Sequence, residues 1–193
     1  MPTDIILAST SPYRRQLLER LGLTFTALAP DCDEETVKRQ IRDPLALAET
    51  LAEAKARSVA RHHPSALVIG SDQVVALDDE ILGKPGSPEA AQAQLARMAG
   101  RSHRLITAMA IIHAGQLWQH TDVTTLQMRP LDAAAIARYI ASDQPLDCAG
   151  AYKIEERGIA LFTAIDSADH SAITGLPLLA LVSHLVSLGW HIP

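Results

Sequence analysis

Apolar and polar positions along the chain fall into short runs that alternate between strand-like and helix-like periods. Ile5-Ile6-Leu7-Ala8 is a continuous apolar run, and Asp4–Ala8 reads as a short buried strand. An amphipathic helix follows over Pro12–Leu21 and stops at Gly22, with Ser11 as its cap and Pro12 at the first helical position. Thr24–Ala29 is a second strand, and Pro30 to Thr36 is a polar, acidic loop. A long helix rich in alanine and leucine starts at Asp43 or Pro44 and runs to about His62. Ala66–Val68 with Ile69 then forms the apolar run of a central strand, which continues through Gly70-Ser71-Asp72-Gln73 into Val74–Leu77.

Asp78-Asp79 marks a turn, and Glu80–Leu82 a short return strand. Ser87-Pro88-Glu89 opens a helix that ends at Gly100. His103–His113 and Gln116–Gln127 are two long strands joined at Ala114-Gly115, a hairpin signal. Asp132–Ser142 is a helix capped by Asp132, Ile159–Ile165 a strand, and Leu176–Leu188 a closing helix. Strands alternating with helices, with one hairpin among them, predict an α/β fold built on a mixed sheet. The length fits one domain, residues 1–193, with no internal repeat, low-complexity segment or interdomain linker.

Charge and cysteine usage narrow the class. A net charge of −5 argues against a general nucleic-acid binder, which carries a basic face or tail. The N-terminus shows no signal-peptide pattern, because Asp4 interrupts its short apolar stretch, and no run reaches membrane-spanning length. Cys32 and Cys148 lie far apart and form no CxxC pair, as expected of reduced thiols in the cytoplasm. None of the histidines has metal-ligand spacing.

Chemistry concentrates at a few misplaced charges. The N-terminus of the first helix offers unpaired N–H groups and the hydroxyls of Ser9, Thr10 and Ser11, a cradle for an anion. Arg14 and Arg15 occupy its first turn, where the helix dipole disfavours a cation by roughly 0.3–1 kcal/mol; a bound phosphate reverses that penalty. Lys55 falls inside the apolar stripe of Leu47, Ala48, Leu51, Ala52 and Val59, so its ammonium either snorkels outward or points into a polar cleft. Asp72 interrupts a strand-like apolar run, where a carboxylate is costly without a partner or a metal. Glu34 sits in the acidic loop, and Lys84 in a rigid turn between Gly83 and Pro85. Together these cations and acids suit one task, holding a polyphosphate and a divalent cation for phosphoanhydride cleavage.

LASTSPYRRQLLERLG, the Asp33-Glu34 pair, AEAKA around Lys55, GSDQVV, LGKP, CAGAYKIEERG and TGLPL resemble the Maf-like nucleoside triphosphate pyrophosphatase family. The motifs run in register from about residue 5 to residue 181, nearly the whole chain. The resemblance implies a twisted mixed sheet with flanking helices, like that of inosine triphosphate pyrophosphatases, in two lobes around a cleft. It implies hydrolysis of a nucleoside triphosphate to the monophosphate and pyrophosphate with Mg²⁺ or Mn²⁺, and a homodimer. Position by position, Asp72 matches the family's proton acceptor. Ser9, Arg14, Arg15, Glu34, Lys55 and Lys84 match the rest of its catalytic and phosphate-binding set, with Glu34 and Asp72 the expected metal ligands.

Three positions bear on the base. Members preferring thymidine or uridine triphosphate carry Arg, Thr and Gln where this chain has Tyr13, Gln73 and Glu155; the branch acting on 7-methyl-GTP has Trp, Gln and Glu. A 7-methylated guanine is cationic, so stacking on an aromatic ring such as Tyr13 adds a cation–π attraction of ~0.5–2 kcal/mol. A carboxylate such as Glu155 accepts from both N1–H and the exocyclic amine of guanine. The expected substrate is therefore 7-methyl-GTP. The alternatives are a Maf-like pyrophosphatase acting on dTTP, UTP or other nucleotides, and a regulatory or nucleic-acid-binding protein that keeps the fold without turnover.

Overall fold

The computed structural model describes residues 4–192, so residues 1–3 and 193 of the expected single domain lie outside it. Seven strands form one mixed sheet in the order β2-β1-β3-β5-β6-β7, with β4 paired to β3. β1 (Ile5–Ala8) is buried throughout and runs parallel to both β2 (Phe25–Leu28) and β3 (Leu67–Leu77), with Ile5 opposite Phe25 and Leu67. Such parallel pairs need helical crossovers. α1 (Pro12–Glu19) connects β1 to β2; α2 (Glu34–Gln40) and α3 (Pro44–Ala60) connect β2 to β3.

β3 is eleven residues long, and its later residues pair antiparallel with β4. β4 (Glu80–Leu82) folds back on β3 with Leu82 opposite Val75. α4 (Pro88–Met98) starts at the Ser87 cap. β5 (Ser102–His113) and β6 (Gln116–Met128) meet at Ala114 and Gly115, both at positive φ. α5 (Ala133–Asp143) leads by two short 3-10 turns to β7 (Phe162–Asp166), antiparallel to β6. α6 (His170–Ile173) and α7 (Leu178–Ser187) close the chain. Among the described residues, no helix is long and apolar enough to cross a membrane.

The chain gathers into two compact units. The first holds the residues up to Gln73, Thr107–Asp122, and those from Asp169 onward; the second holds Val74–Ile106 and Val123–Ala168. In the first unit, Leu67 and Ile69 of β3 join Ile5 and Leu7 of β1, Met109 and Ile111 of β5, Leu17 and Leu18 of α1, and Leu181 and Leu185 of α7 in one core cluster. Side chains alternate faces along a strand, so Gly70 points away from that core. A Cβ at Gly70 would lie 2.6 Å from the backbone nitrogen of Ala56, so only glycine lets α3 approach this closely. In the second unit, His103, Tyr152 and Phe162 pack as an aromatic trio with ring centroids 5.1–5.8 Å apart.

Three expectations shift. Glu34 opens α2 instead of lying in a loop, because the Asp33 carboxylate caps the turn by accepting from the Thr36 amide at 3.0 Å and the Thr36 hydroxyl at 2.6 Å. The strand expected from Ile159 begins at Phe162, since Arg157–Leu161 form a 3-10 turn that leaves Ile159 half exposed. α6 is a single short helical turn, ahead of the expected start of the closing helix.

Candidate active site

Strand alternation sorts the polar interruption of β3. Gly70 and Asp72 share the face under α3, whereas Ile69, Ser71 and Gln73 share the face of the apolar core. α3 answers Asp72 with Lys55, whose place in the apolar stripe turns it inward. Lys55 is only 7% exposed and Asp72 only 8%. The ammonium donates to Asp72 Oδ1 at 2.5 Å and sits 3.1 Å from Glu34 Oε1. One lysine therefore bridges two carboxylates from different elements, and the trio keeps a net negative charge. Buried charges persist only when paired in this way.

Glu34 feels opposing forces. Partial burial pushes its carboxyl up, but Lys55 and then Lys38, 3.5 Å away, outweigh this and hold it below its ordinary value. Neighbouring Cys32 moves the other way: burial first, then the charge of Glu34, raise its thiol. Burial likewise pushes the Cys148 thiol up to about 12. Neither cysteine is primed as a nucleophile.

The turn from β1 into α1 forms with Ser11 as the helix cap, as its sequence indicates. Ser11 Oγ accepts from the Arg14 amide at 3.4 Å, and Ser9 Oγ accepts from the Ser11 amide at 3.1 Å, so the chain leaves β1 in a tight turn into α1. Arg14 then reaches across to the turn before α7, donating Nε–H to the Gly175 carbonyl at 2.9 Å. Burial lowers its pKa, against the attraction of Asp72 and then Glu34, and the guanidinium stays cationic. With Nε committed, its terminal nitrogens remain available to an anion. Gly175 has φ +113°, and a Cβ there would sit 3.3 Å from Arg14 Nε, so glycine serves both the turn and the arginine.

Arg15 is placed differently. Its side chain is 64% exposed and pairs with Glu19 at 3.0 Å. Tyr13 is partly buried on the first turn of α1. Gln73 turns its amide nitrogen toward Thr107 Oγ1 and the carbonyls of Ala172 and Ile173, each at 3.0 Å. Lys84 and Glu155 belong to the second unit, both on exposed loops. The loop of Glu155 is anchored on either side by α5. Tyr139 Oη accepts from the Lys153 amide at 2.9 Å, and Asp143 Oδ2 accepts from the Arg157 amide at 3.1 Å.

Three participants escaped the sequence. The Gly175 carbonyl is backbone, and Ser71 and Thr107 read as ordinary strand hydroxyls. TGLPL was the one available signal for the turn.

The two bridged carboxylates supply the hard oxygen donors that a divalent cation favours. Mg²⁺ favours one or two carboxylates completed by water and substrate phosphate oxygens. Among the described residues, no group of three or more His, Cys, Asp or Glu could hold a metal unaided. Glu34 and Asp72 therefore fit an ion that shares its ligands with a triphosphate.

A family profile for Maf-like proteins matches residues 4–188. A relative from Xanthomonas oryzae pv. oryzae named 7-methyl-GTP pyrophosphatase is 49% identical over 193 residues, covering 100% of both chains. One of the same name from Bdellovibrio bacteriovorus is 46% identical over 178 residues, covering 92% of this chain and 93% of its own. Among solved structures, a HAM1 protein from Coxiella burnetii aligns with a TM-score of 0.54 at 14% identity, over 96% of this chain and 100% of that one. That likeness is one of fold.

Proposed function

The chain belongs to the Maf family, and on that premise we propose that it hydrolyses 7-methyl-GTP to 7-methyl-GMP and pyrophosphate, clearing a modified nucleotide in the cytoplasm. The observation that carries this reading is the Lys55 bridge between Asp72 and Glu34, beside an arginine held at a helix N-terminus. Asp72 accepts a proton from the attacking water, with its carboxylate oriented by Lys55. The new bond joins the water oxygen to phosphorus at the α–β bridge; the bridging P–O bond breaks and pyrophosphate leaves. Arg14, the α1 amides and Ser9 offset the charge of the phosphate oxygens.

Arg15 and Lys84 join this phosphate set by family resemblance, and Arg15 must leave Glu19 to do so. Glu34 and Asp72 would hold Mg²⁺ or Mn²⁺, which would neutralise phosphate charge. Tyr13 offers an aromatic face to the cationic base, and Glu155 accepts from its N1–H and amine. The family resemblance also carries a homodimer, which sedimentation measures.

Pyrophosphate release across 7-methyl-GTP, GTP, UTP and dTTP, with and without a chelator, tests the proposal. The expected result is fastest release from 7-methyl-GTP and none in chelator. Equal rates on all four would remove the base assignment, and no release from any would remove the activity.

A further inference from the structure

Gln73 occupies a position tied by resemblance to base choice, yet its contacts lie elsewhere. The two hydrogens of its amide nitrogen face three acceptors: Thr107 Oγ1, the Ala172 carbonyl and the Ile173 carbonyl. The orientation of that amide is fixed by chemistry. Backbone carbonyls only accept, and Thr107 spends its own proton on the Ala172 carbonyl at 2.9 Å, so it accepts from Gln73. Reversing the amide would set an oxygen against three oxygens. Gln73 thus has no donor to offer a nucleotide, and Oε1 can only accept.

What these bonds hold is the turn at residues 172–175. The Gly175 amide closes the turn on the Ala172 carbonyl at 2.9 Å. On its far side the Gly175 carbonyl accepts from Ser71 Oγ at 2.8 Å and from Arg14 Nε at 2.9 Å. Ser71 and Gln73, two residues apart on one face of β3, therefore grip both ends of a turn whose outer carbonyl fixes Arg14. We infer that Gln73 is a positioning residue: with Thr107 and Ser71 it sets the turn that aims the Arg14 guanidinium at the phosphates. This rests on the phosphate role proposed for Arg14.

Thr107 makes the inference testable, because it is 1% exposed and cannot touch a nucleotide, yet it grips the same carbonyl. The experiment measures the Kd of inorganic tripolyphosphate by calorimetry, together with kcat and KM for 7-methyl-GTP, GTP and UTP. The proteins are the wild type, Gln73→Met, Thr107→Val and each of these combined with Arg14→Ala. Gln73→Met and Thr107→Val should each weaken tripolyphosphate by roughly five- to tenfold, the loss of about one hydrogen bond. Each should lower kcat/KM for all three nucleotides by a common factor, chiefly through KM. Neither should add to Arg14→Ala, since residues acting through one another are not additive.

The inference is overturned if Gln73→Met shifts the ratio of 7-methyl-GTP to UTP while tripolyphosphate binding holds. It is also overturned if Thr107→Val leaves tripolyphosphate untouched, or if the wild type does not bind tripolyphosphate. Should Gln73→Met fail to fold, Gln73→Asn, which retracts the same amide by one methylene, takes its place. Because the tripolyphosphate Kd needs no turnover, a wild type inert toward all nucleotides would sink the proposed activity while leaving this inference to the binding data.

Discussion

Lys55 in one unit and His103 in the other are both buried ionisable groups, and the chain treats them in opposite ways. Lys55 has two carboxylates within 3.1 Å. His103, 2% exposed, has the Tyr152 hydroxyl at 3.1 Å from Nε2 and, among the described residues, no hydrogen-bond partner at Nδ1. Burial alone drives the imidazole down to about 4, so it is neutral at physiological pH and packs as an aromatic. On the proposed function Lys55 keeps its charge for an ionic ligand, whereas His103 stays neutral and contributes packing and one hydrogen bond. The contrast separates a site from a core where burial alone does not.

The sharpest way to break this comparison is at Asp72. Asp72→Asn keeps the shape but removes the proposed proton acceptor, and one of Lys55's two counter-charges with it. Turnover of 7-methyl-GTP should fall by roughly 10²–10⁴, the usual worth of general-base help. Binding of tripolyphosphate should persist, since the arginine cradle is untouched. A variant within threefold of the wild-type rate would place Asp72 with His103, as a structural group.

His103 carries the next largest effect, read in stability rather than turnover. An unfolded imidazole titrates near 6.5 and the folded one near 4, so between those values the unfolded chain binds more protons. Stability is therefore full above pH 6.5 and declines as pH falls toward 4, by at most about 3 kcal/mol. His103→Gln, which is uncharged, should flatten that decline in thermal melts recorded from pH 7 to pH 4. Glu34 acts in a lower window. Its folded carboxyl lies below the ordinary 4.5, so its contribution is present above 4.5 and lost only as pH falls through the folded value. A pH-stability curve in His103→Gln as steep as that of the wild type would show that the buried imidazole is not the titrating group.

How far the sequence could see differs between the same two regions. Ser11 and Pro12 declare the start of α1, and the misfit of Lys55 and Asp72 in apolar runs marks them as groups needing partners. Their mutual contact was not legible, because it depends on α3 crossing the Gly70 face of β3. Glu34's helix stayed hidden for a definite reason: α2 buries none of its residues, so no apolar stripe betrays it. The opposite error arose at Ile159, where an apolar letter in an exposed 3-10 turn imitates a strand. The hold of the 172–175 turn on Arg14 is made by a backbone carbonyl, which no side-chain pattern encodes. In the second unit, His103 looked like any strand histidine until Tyr152 and Phe162 enclosed it.

The smallest expected effect separates two neighbours. Arg14 and Arg15 are adjacent and chemically identical, but one turn of geometry assigns them to different environments. Arg14 is partly buried, fixed on Gly175 and attracted by Asp72 and Glu34. Arg15 points to solvent and pairs with Glu19 four residues on, an exposed helix pair of the kind worth only ~0.3–0.5 kcal/mol. Recruiting Arg15 to a phosphate requires breaking that pair and ordering a long side chain, so its net gain is small. Arg14→Ala should cost roughly 10–100-fold in kcat/KM, in line with ~1.5–3 kcal/mol for a charged hydrogen bond. Arg15→Ala should cost roughly threefold or less, about the worth of an exposed ion pair. Both losses should be equal for 7-methyl-GTP and UTP, because phosphates are common to the two. If Arg15→Ala instead matched Arg14→Ala, the Glu19 pairing would be a resting contact that substrate displaces, and the charged region would extend one residue further along α1.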